Sequence, residues 1–188
     1  MKKYLILVKH SLPEIEKDLP ANKWKLSVEG RVRTHQLAER LAHYQPEIIV
    51  SSDEPKAKET AEILARKHQL ELHVVDGLHE HDRSNERYLS KPEFQASIQE
   101  FLQRPNMLVF GKETANQTHA RFYQSVHSVL QAYPDKTIAI VAHGTVISLF
   151  VSRITGISDL LLWNELGLPS FVVIDMESHT LIARENVV

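Results

Sequence analysis

Two apolar runs in this chain end in histidine, and a third ends in serines just ahead of a lysine. Tyr4-Leu5-Ile6-Leu7-Val8 stops at Lys9-His10-Ser11, Val141-Ala142 stops at His143-Gly144, and Ile48-Ile49-Val50 stops at Ser51-Ser52, shortly before Lys56. A cation followed directly by an imidazole suits an anion-handling site with a nucleophile or base in it. A neutral ring nitrogen can attack or accept a proton while ammonium groups balance negative charge. Any one of the 11 histidines, taken alone, reads as a hydrogen-bonded core or surface residue. Two at matching strand ends, with Lys56, point to one shared site. His79-Glu80-His81 is a rival constellation, since alternating histidines can ligate zinc or iron. A metal site needs a third and usually a fourth ligand, and no His-Glu-x-x-His helix is present, so no metal is assigned.

Each of these residues depends on the element that delivers it. An unbroken run of Leu, Ile and Val reads as a strand buried on both faces of a helix-covered parallel sheet. In open α/β sheets ligands bind at the carboxyl ends of such strands. Further strands are expected at Leu72–Val75 and Thr137–Ala142, with a closing antiparallel pair, Phe171–Ile174 and Leu181–Ala183, at the sheet edge. Helical spacing follows Ser27, with Val28, Val32, Ala38, Leu41 and Ala42 roughly on one face. It recurs from Pro55 (Ala57, Thr60, Ala61, Leu64, Ala65, His68), around Glu93–Leu102, over Phe122–Tyr133 and over Val146–Ile154. Residues 11–26 and 76–92 show no period and read as loops over the site. Strands alternating with helices give an α/β layered fold.

A length of 188 residues suits one domain over residues 1–188. With 24% charged residues and a net charge of -2, no charge excess points to nucleic acid or an anionic membrane as partner. The lack of cysteine excludes a thiolate nucleophile and a disulfide framework and agrees with a cytoplasmic location. No segment is long and apolar enough for a secretory leader or a membrane span.

Five pieces of sequence, in order, resemble the histidine phosphatase superfamily of phosphoglycerate mutase-like fold, and the resemblance covers nearly the whole chain. Lys9-His10-Ser11 stands for the family's Arg-His-Gly, and Leu26-Ser27-Val28-Glu29-Gly30 for its Leu-Ser/Thr-x-x-Gly. Ser51-Ser52-Asp53-Glu54-Pro55-Lys56-Ala57-Lys58-Glu59-Thr60-Ala61 stands for its Ser-Ser-x-x-x-Arg-Ala-x-x-Thr-Ala. Leu78-His79-Glu80 matches the Leu-x-Glu that carries the proton donor, and Val141-Ala142-His143-Gly144 the second histidine. The resemblance implies a three-layer αβα sandwich whose mostly parallel central sheet has an antiparallel edge strand. It also implies a phosphomonoesterase that needs no metal or other cofactor, acting on a small phosphorylated metabolite and releasing inorganic phosphate.

In that scheme His10 is the phosphoryl acceptor, its other nitrogen held by a backbone carbonyl. Lys9, Lys56 and His143 surround the phosphoryl group, and Glu80 is the acid and base. Both family arginines are lysines here, and an ammonium is a point charge where a guanidinium is a planar two-pronged donor. Losing one fixed donor to a transition-state oxygen costs on the order of 3 kcal/mol unless it is replaced. Arg83 and Arg87 are the candidate replacements, and Ser11 can add a hydroxyl. The glycine pattern expected after the acid is replaced by Arg83-Ser84-Asn85, which leaves Asp82 and Glu86 as fallback acids. Glu113, in Gly111-Lys112-Glu113-Thr114, is a further acid, Gly144 borders the pocket, and Trp24 could stack on an aromatic leaving group. Two alternatives share the fold: a phosphate- or phosphoester-binding protein with little turnover, and a mutase-type phosphotransferase.

Overall fold

A computed structural model of the chain describes residues 3–187. Its six strands are β1 (Leu5–Lys9), β2 (Ile48–Ser51), β3 (Leu72–Val74), β4 (Ile138–Ala142), β5 (Ser170–Asp175) and β6 (Thr180–Asn186). Six α-helices accompany them: α1 (Val28–Leu41), α2 (Pro55–His68), α3 (Lys91–Gln103), α4 (Ala115–Ala132), α5 (Gly144–Thr155) and α6 (Asp159–Glu165). The strands form one sheet in the order β3-β2-β4-β1-β5-β6. β1, β2, β3 and β4 run parallel, β5 runs antiparallel to β1, and β6 antiparallel to β5.

Alternation along β1 explains the layers. Leu5 and Leu7 face Phe122 and Val126 of α4 and Phe150 of α5, whereas Ile6 and Val8 face Leu37 of α1 and Ala61 and Leu64 of α2. The first four of the five β1 residues are fully buried, as a strand covered by helices on both faces must be. This is the expected αβα sandwich. β6 has only alternate residues half-buried, which suits an edge strand.

The helical stripe differs from expectation in α1. Val28 and Val32 are exposed, at 78% and 51%, and the buried face is Gly30, Thr34, Leu37, Ala38 and Leu41. Gly30 sets this phase: a Cβ there would stand 2.1 Å from the Leu12 carbonyl oxygen, so only glycine lets α1 lie against the strand exit. Ser27 caps the helix by accepting from Gly30 N. α6, which has no clear period in sequence, is a short helix capped by Ser158. Together with α3 it forms a satellite apolar cluster of Ile98, Phe101 and Trp163. Among the described residues no helix is long and apolar enough to cross a membrane.

Candidate active site

The parallel ladder decides where the strand-end residues go. His10 N donates to the Ala142 carbonyl at 3.0 Å and Ser52 N to the Val141 carbonyl at 3.0 Å, so the exits of β1, β2 and β4 lie side by side. The His10 and His143 rings stand edge to face with centroids 5.1 Å apart. His10 Nδ1 lies 2.7 Å from the Ser11 carbonyl. A carbonyl only accepts, so this nitrogen carries the proton and Nε2 is left as the free base. His143, fully buried at the start of α5, has Nε2 2.9 Å from Ser52 Oγ, while its Nδ1 is buried without a hydrogen-bond partner. Thr145 Oγ1, on the second residue of α5, is likewise buried and unpartnered.

Burial, then the nearby Lys56 charge, holds both histidines neutral, well below the usual imidazole range. Lys9 Nζ donates to the Leu166 carbonyl at 2.7 Å and packs over Gly144, where a Cβ would stand 3.3 Å from it. Burial lowers the Lys9 ammonium to about 8, against the opposing pull of Glu80. Lys56, at the first turn of α2, is 4% exposed. It donates to the Ala21 carbonyl at 2.8 Å and forms a short ion pair with Glu54. Glu54 is 6% exposed; burial raises its carboxyl, but Lys56 and the Glu80 N–H outweigh burial and leave it ionised below the usual range.

Glu80 is aimed by backbone donors. Its carboxylate accepts from Thr145 N at 3.1 Å and Val146 N at 3.3 Å, the open N–H groups and positive pole of α5, and from His81 N at 3.0 Å. The loop beneath it is pinned by Arg121 of α4, which donates to the carbonyls of Gly77, His79 and Glu80 and pairs with Glu113 at 2.8 Å.

Two cavities lie nearby: Glu54, Lys56 and Glu80 reach one of them, whereas Lys9, His10, His143 and Gly144 are in the wall of neither. A polar one of about 270 Å³ has Asn22, Glu54, Lys56, Glu80 and Arg83 in its wall, and an apolar one of about 320 Å³ has Leu12, Trp24, Tyr88 and Phe94. Ala21 and Arg83 line both. The arrangement sets an unprotonated imidazole nitrogen against buried His143 at the same sheet edge that carries Lys9, Lys56 and the aimed Glu80 carboxylate.

The family model of the histidine phosphatase superfamily (branch 1) matches residues 5–185. The chain belongs to this superfamily. It is 29% identical over 132 residues to the uncharacterized phosphatase PhoE of Bacillus subtilis (strain 168); the match spans 70% of this chain and 65% of that protein. A phosphoserine phosphatase mutant of Entamoeba histolytica, solved with phosphoserine, superposes with a TM-score of 0.79 at 18% identity over 98% of both chains. A mycobacterial glucosyl-3-phosphoglycerate phosphatase solved with VO3 superposes with a TM-score of 0.76 at 19% identity, over 97% of this chain and 96% of that one. These two likenesses show the fold.

Other residues singled out in this histidine phosphatase chain have varied surroundings. Ser11 is fully buried and gives its one hydroxyl hydrogen to the Gly30 carbonyl at 2.7 Å, so that hydrogen is turned away from the site toward α1. Arg83 lies in both cavity walls with its guanidinium 4.1 Å from the centre of the Phe94 ring. Arg87 is exposed and pairs with Glu93 at the outer rim. Asp82 lines the polar cavity but accepts from Ser84 N and Oγ, and Glu86 accepts from Gly111 N. Glu113 is outside both cavity walls because Arg121, Thr118 and the Asp82 N–H hold its carboxylate. The Trp24 indole N–H closes its loop onto the Glu16 and Leu19 carbonyls at 2.8 and 3.1 Å, leaving the ring on the apolar cavity. His79, Glu80 and His81 all line the polar cavity, His81 with its ring packed on Phe101 and Phe110. No group of three His, Cys, Asp or Glu among the described residues could hold a metal ion.

Glu54, Asn22 and Arg121 have no counterpart in the sequence reading. Glu54 was legible only as a filler position of the Ser-Ser-x-x-x-Lys element. The side-chain oxygen of Asn22, buried and unpartnered in the polar cavity, lies in a loop without period. Arg121 sits far along the chain on a helix whose apolar face hides its purpose.

Proposed function

We propose that this protein is a metal-independent phosphomonoesterase that works through a phosphohistidine at His10, acting on a small phosphorylated metabolite. The observation behind this is the His10 ring itself, neutral and tautomerically set by the Ser11 carbonyl, with Nε2 beside buried His143. Nε2 attacks phosphorus and the ester oxygen leaves, taking the proton that Glu80 supplies. Water then attacks the phosphohistidine, giving its proton to Glu80 and releasing inorganic phosphate with His10 neutral again. Lys9, Lys56 and the unpartnered Nδ1 of His143 face charge on the equatorial oxygens, and Arg83 stands at the side of the leaving group. The apolar cavity, opening past Arg83 and Ala21, receives the leaving group's carbon skeleton.

A second reading, a phosphoester binder with little turnover, is favoured by one observation: both cations nearest the histidines are lysines with backbone carbonyls already as partners. One experiment separates the two. Wild-type protein in chelator hydrolyses p-nitrophenyl phosphate and yields an acid-labile phosphoenzyme, and His10→Ala loses both by a factor of at least about a thousand. An inactive wild type that still binds vanadate establishes the binder, and hydrolysis that survives in His10→Ala sinks the phosphohistidine route.

A further inference from the structure

The buried Glu54 carboxylate is an odd tenant for a place that has to hold a dianion. One oxygen is paired with Lys56 Nζ; the other accepts from Glu80 N at 2.9 Å and lies 3.7 Å from His143 Nε2. Lys56 is one of the groups that the phosphatase reading assigns to the phosphoryl group, and His143 is another, met here at Nε2 rather than at the Nδ1 that the reading uses. Lys56 gives a second donor to Ala21 O, so two of its three hydrogens are engaged by the protein itself. With both histidines neutral, the charge of Lys56 is cancelled locally by Glu54. A phosphoryl group arriving there meets a buried like charge and a lysine already paired.

We infer that Glu54 is a resident anion that an incoming phosphoryl group must displace from Lys56, so that this side chain sets how weakly the site holds phosphate. The inference rests on the phosphatase reading of the site. Glu54 is the N-cap residue of α2 and Pro55 follows at the first helical position, which holds the local backbone rigid. Displacement is therefore a rotation of the side chain about its own bonds, toward the polar cavity that Glu54 already lines. Because the same carboxylate holds the Glu80 N–H, its departure also frees the backbone of the proposed acid. Weak retention of phosphate suits a hydrolase whose product is that ion, since uniform tight binding of ground states does not speed turnover.

The test is calorimetric titration of wild type, Glu54→Gln and Glu54→Leu with inorganic phosphate and with vanadate, alongside the melting temperature of each free protein. Removing a buried like charge raises anion affinity by about tenfold or more. Glu54→Gln is therefore expected to bind both anions at least about tenfold more tightly, and adding Lys56→Met is expected to abolish the gain. A merely structural Glu54 would give the opposite, since Lys56 would be misplaced and affinity would fall. Phosphate affinity that is unchanged or weaker in both Glu54 variants overturns the inference. If Glu54→Gln fails to fold, Glu54→Leu decides. Hydrolysis that persists in His10→Ala defeats the phosphatase reading instead, while an active, His10-dependent wild type without the Glu54 effect defeats only this one.

Discussion

At the scale of single residues, the proposed reaction draws on the protonation of two side chains, and its pH dependence is expected to follow theirs. Lys9 is lowered by burial to about 8 from an ordinary 10.5. Its charge, which the proposed reaction uses, is therefore full below pH 8 and lost as pH rises through it. The alkaline limb of kcat/KM is expected near pH 8, and Lys9→Arg should move that limb beyond the measurable range, because a guanidinium keeps its proton. A profile with no limb near 8, or one unmoved in Lys9→Arg, would show that Lys9 does not meet the phosphoryl group. The sign for stability is opposite. The folded protein holds this proton less tightly than the unfolded chain, so the cost of burying the charge is full below pH 8 and fades between 8 and 10.5. Lys9→Met should accordingly raise the melting temperature at pH 7 and have little effect near pH 10.5. His10, held neutral below the usual range, keeps its free nitrogen into mildly acidic solution.

At the scale of elements, the site depends on a loop that contributes little regular structure of its own. Residues 75–90 contain no helix or strand, yet Glu80 must be aimed at the start of α5. α4 supplies the rigidity: Arg121 gathers three loop carbonyls and Glu113. Arg121→Met should lower stability by about 2 kcal/mol, the cost of leaving such half-buried acceptors without a charged donor. It should also reduce kcat for p-nitrophenyl phosphate while phosphate affinity, which the proposed reading assigns to Lys56 and the histidines, stays at the wild-type level. Equal losses in kcat and in phosphate affinity would mean that Arg121 supports the whole site rather than Glu80. Gly30 acts at the same scale: its contact with the Leu12 carbonyl fixes the phase of α1, which apolar spacing alone misplaced onto Val28 and Val32.

At the scale of the whole molecule, the sheet and the loops over it create a two-part recess. Lys56, Glu54 and Glu80 line one cavity, aromatic and aliphatic side chains line the other, and Arg83, in both walls, stacks on Phe94. A phosphomonoester with an aryl leaving group matches both halves. 1-Naphthyl phosphate should therefore exceed glycerol 3-phosphate in kcat/KM, and Phe94→Ala should shrink that preference by about tenfold, the scale of apolar pocket discrimination. A preference unchanged in Phe94→Ala would place the leaving group elsewhere.

The residue types alone settled the strands, an α/β layered fold and the pairing of His10 with His143, and the family resemblance added the three-layer αβα arrangement. Strong apolar runs admit few arrangements, and parallel strands send their carboxyl ends to one edge. The partner of each charged side chain was settled only in three dimensions. Glu54 meets Lys56 two positions away because the start of α2 turns both inward. Ser11 gives its hydrogen to Gly30 because α1 comes within contact of the β1 exit, and Glu113 faces Arg121 rather than the cavity. Such choices turn on distances of a few ångströms between segments far apart in the chain or newly folded together, and periodicity holds no information about them.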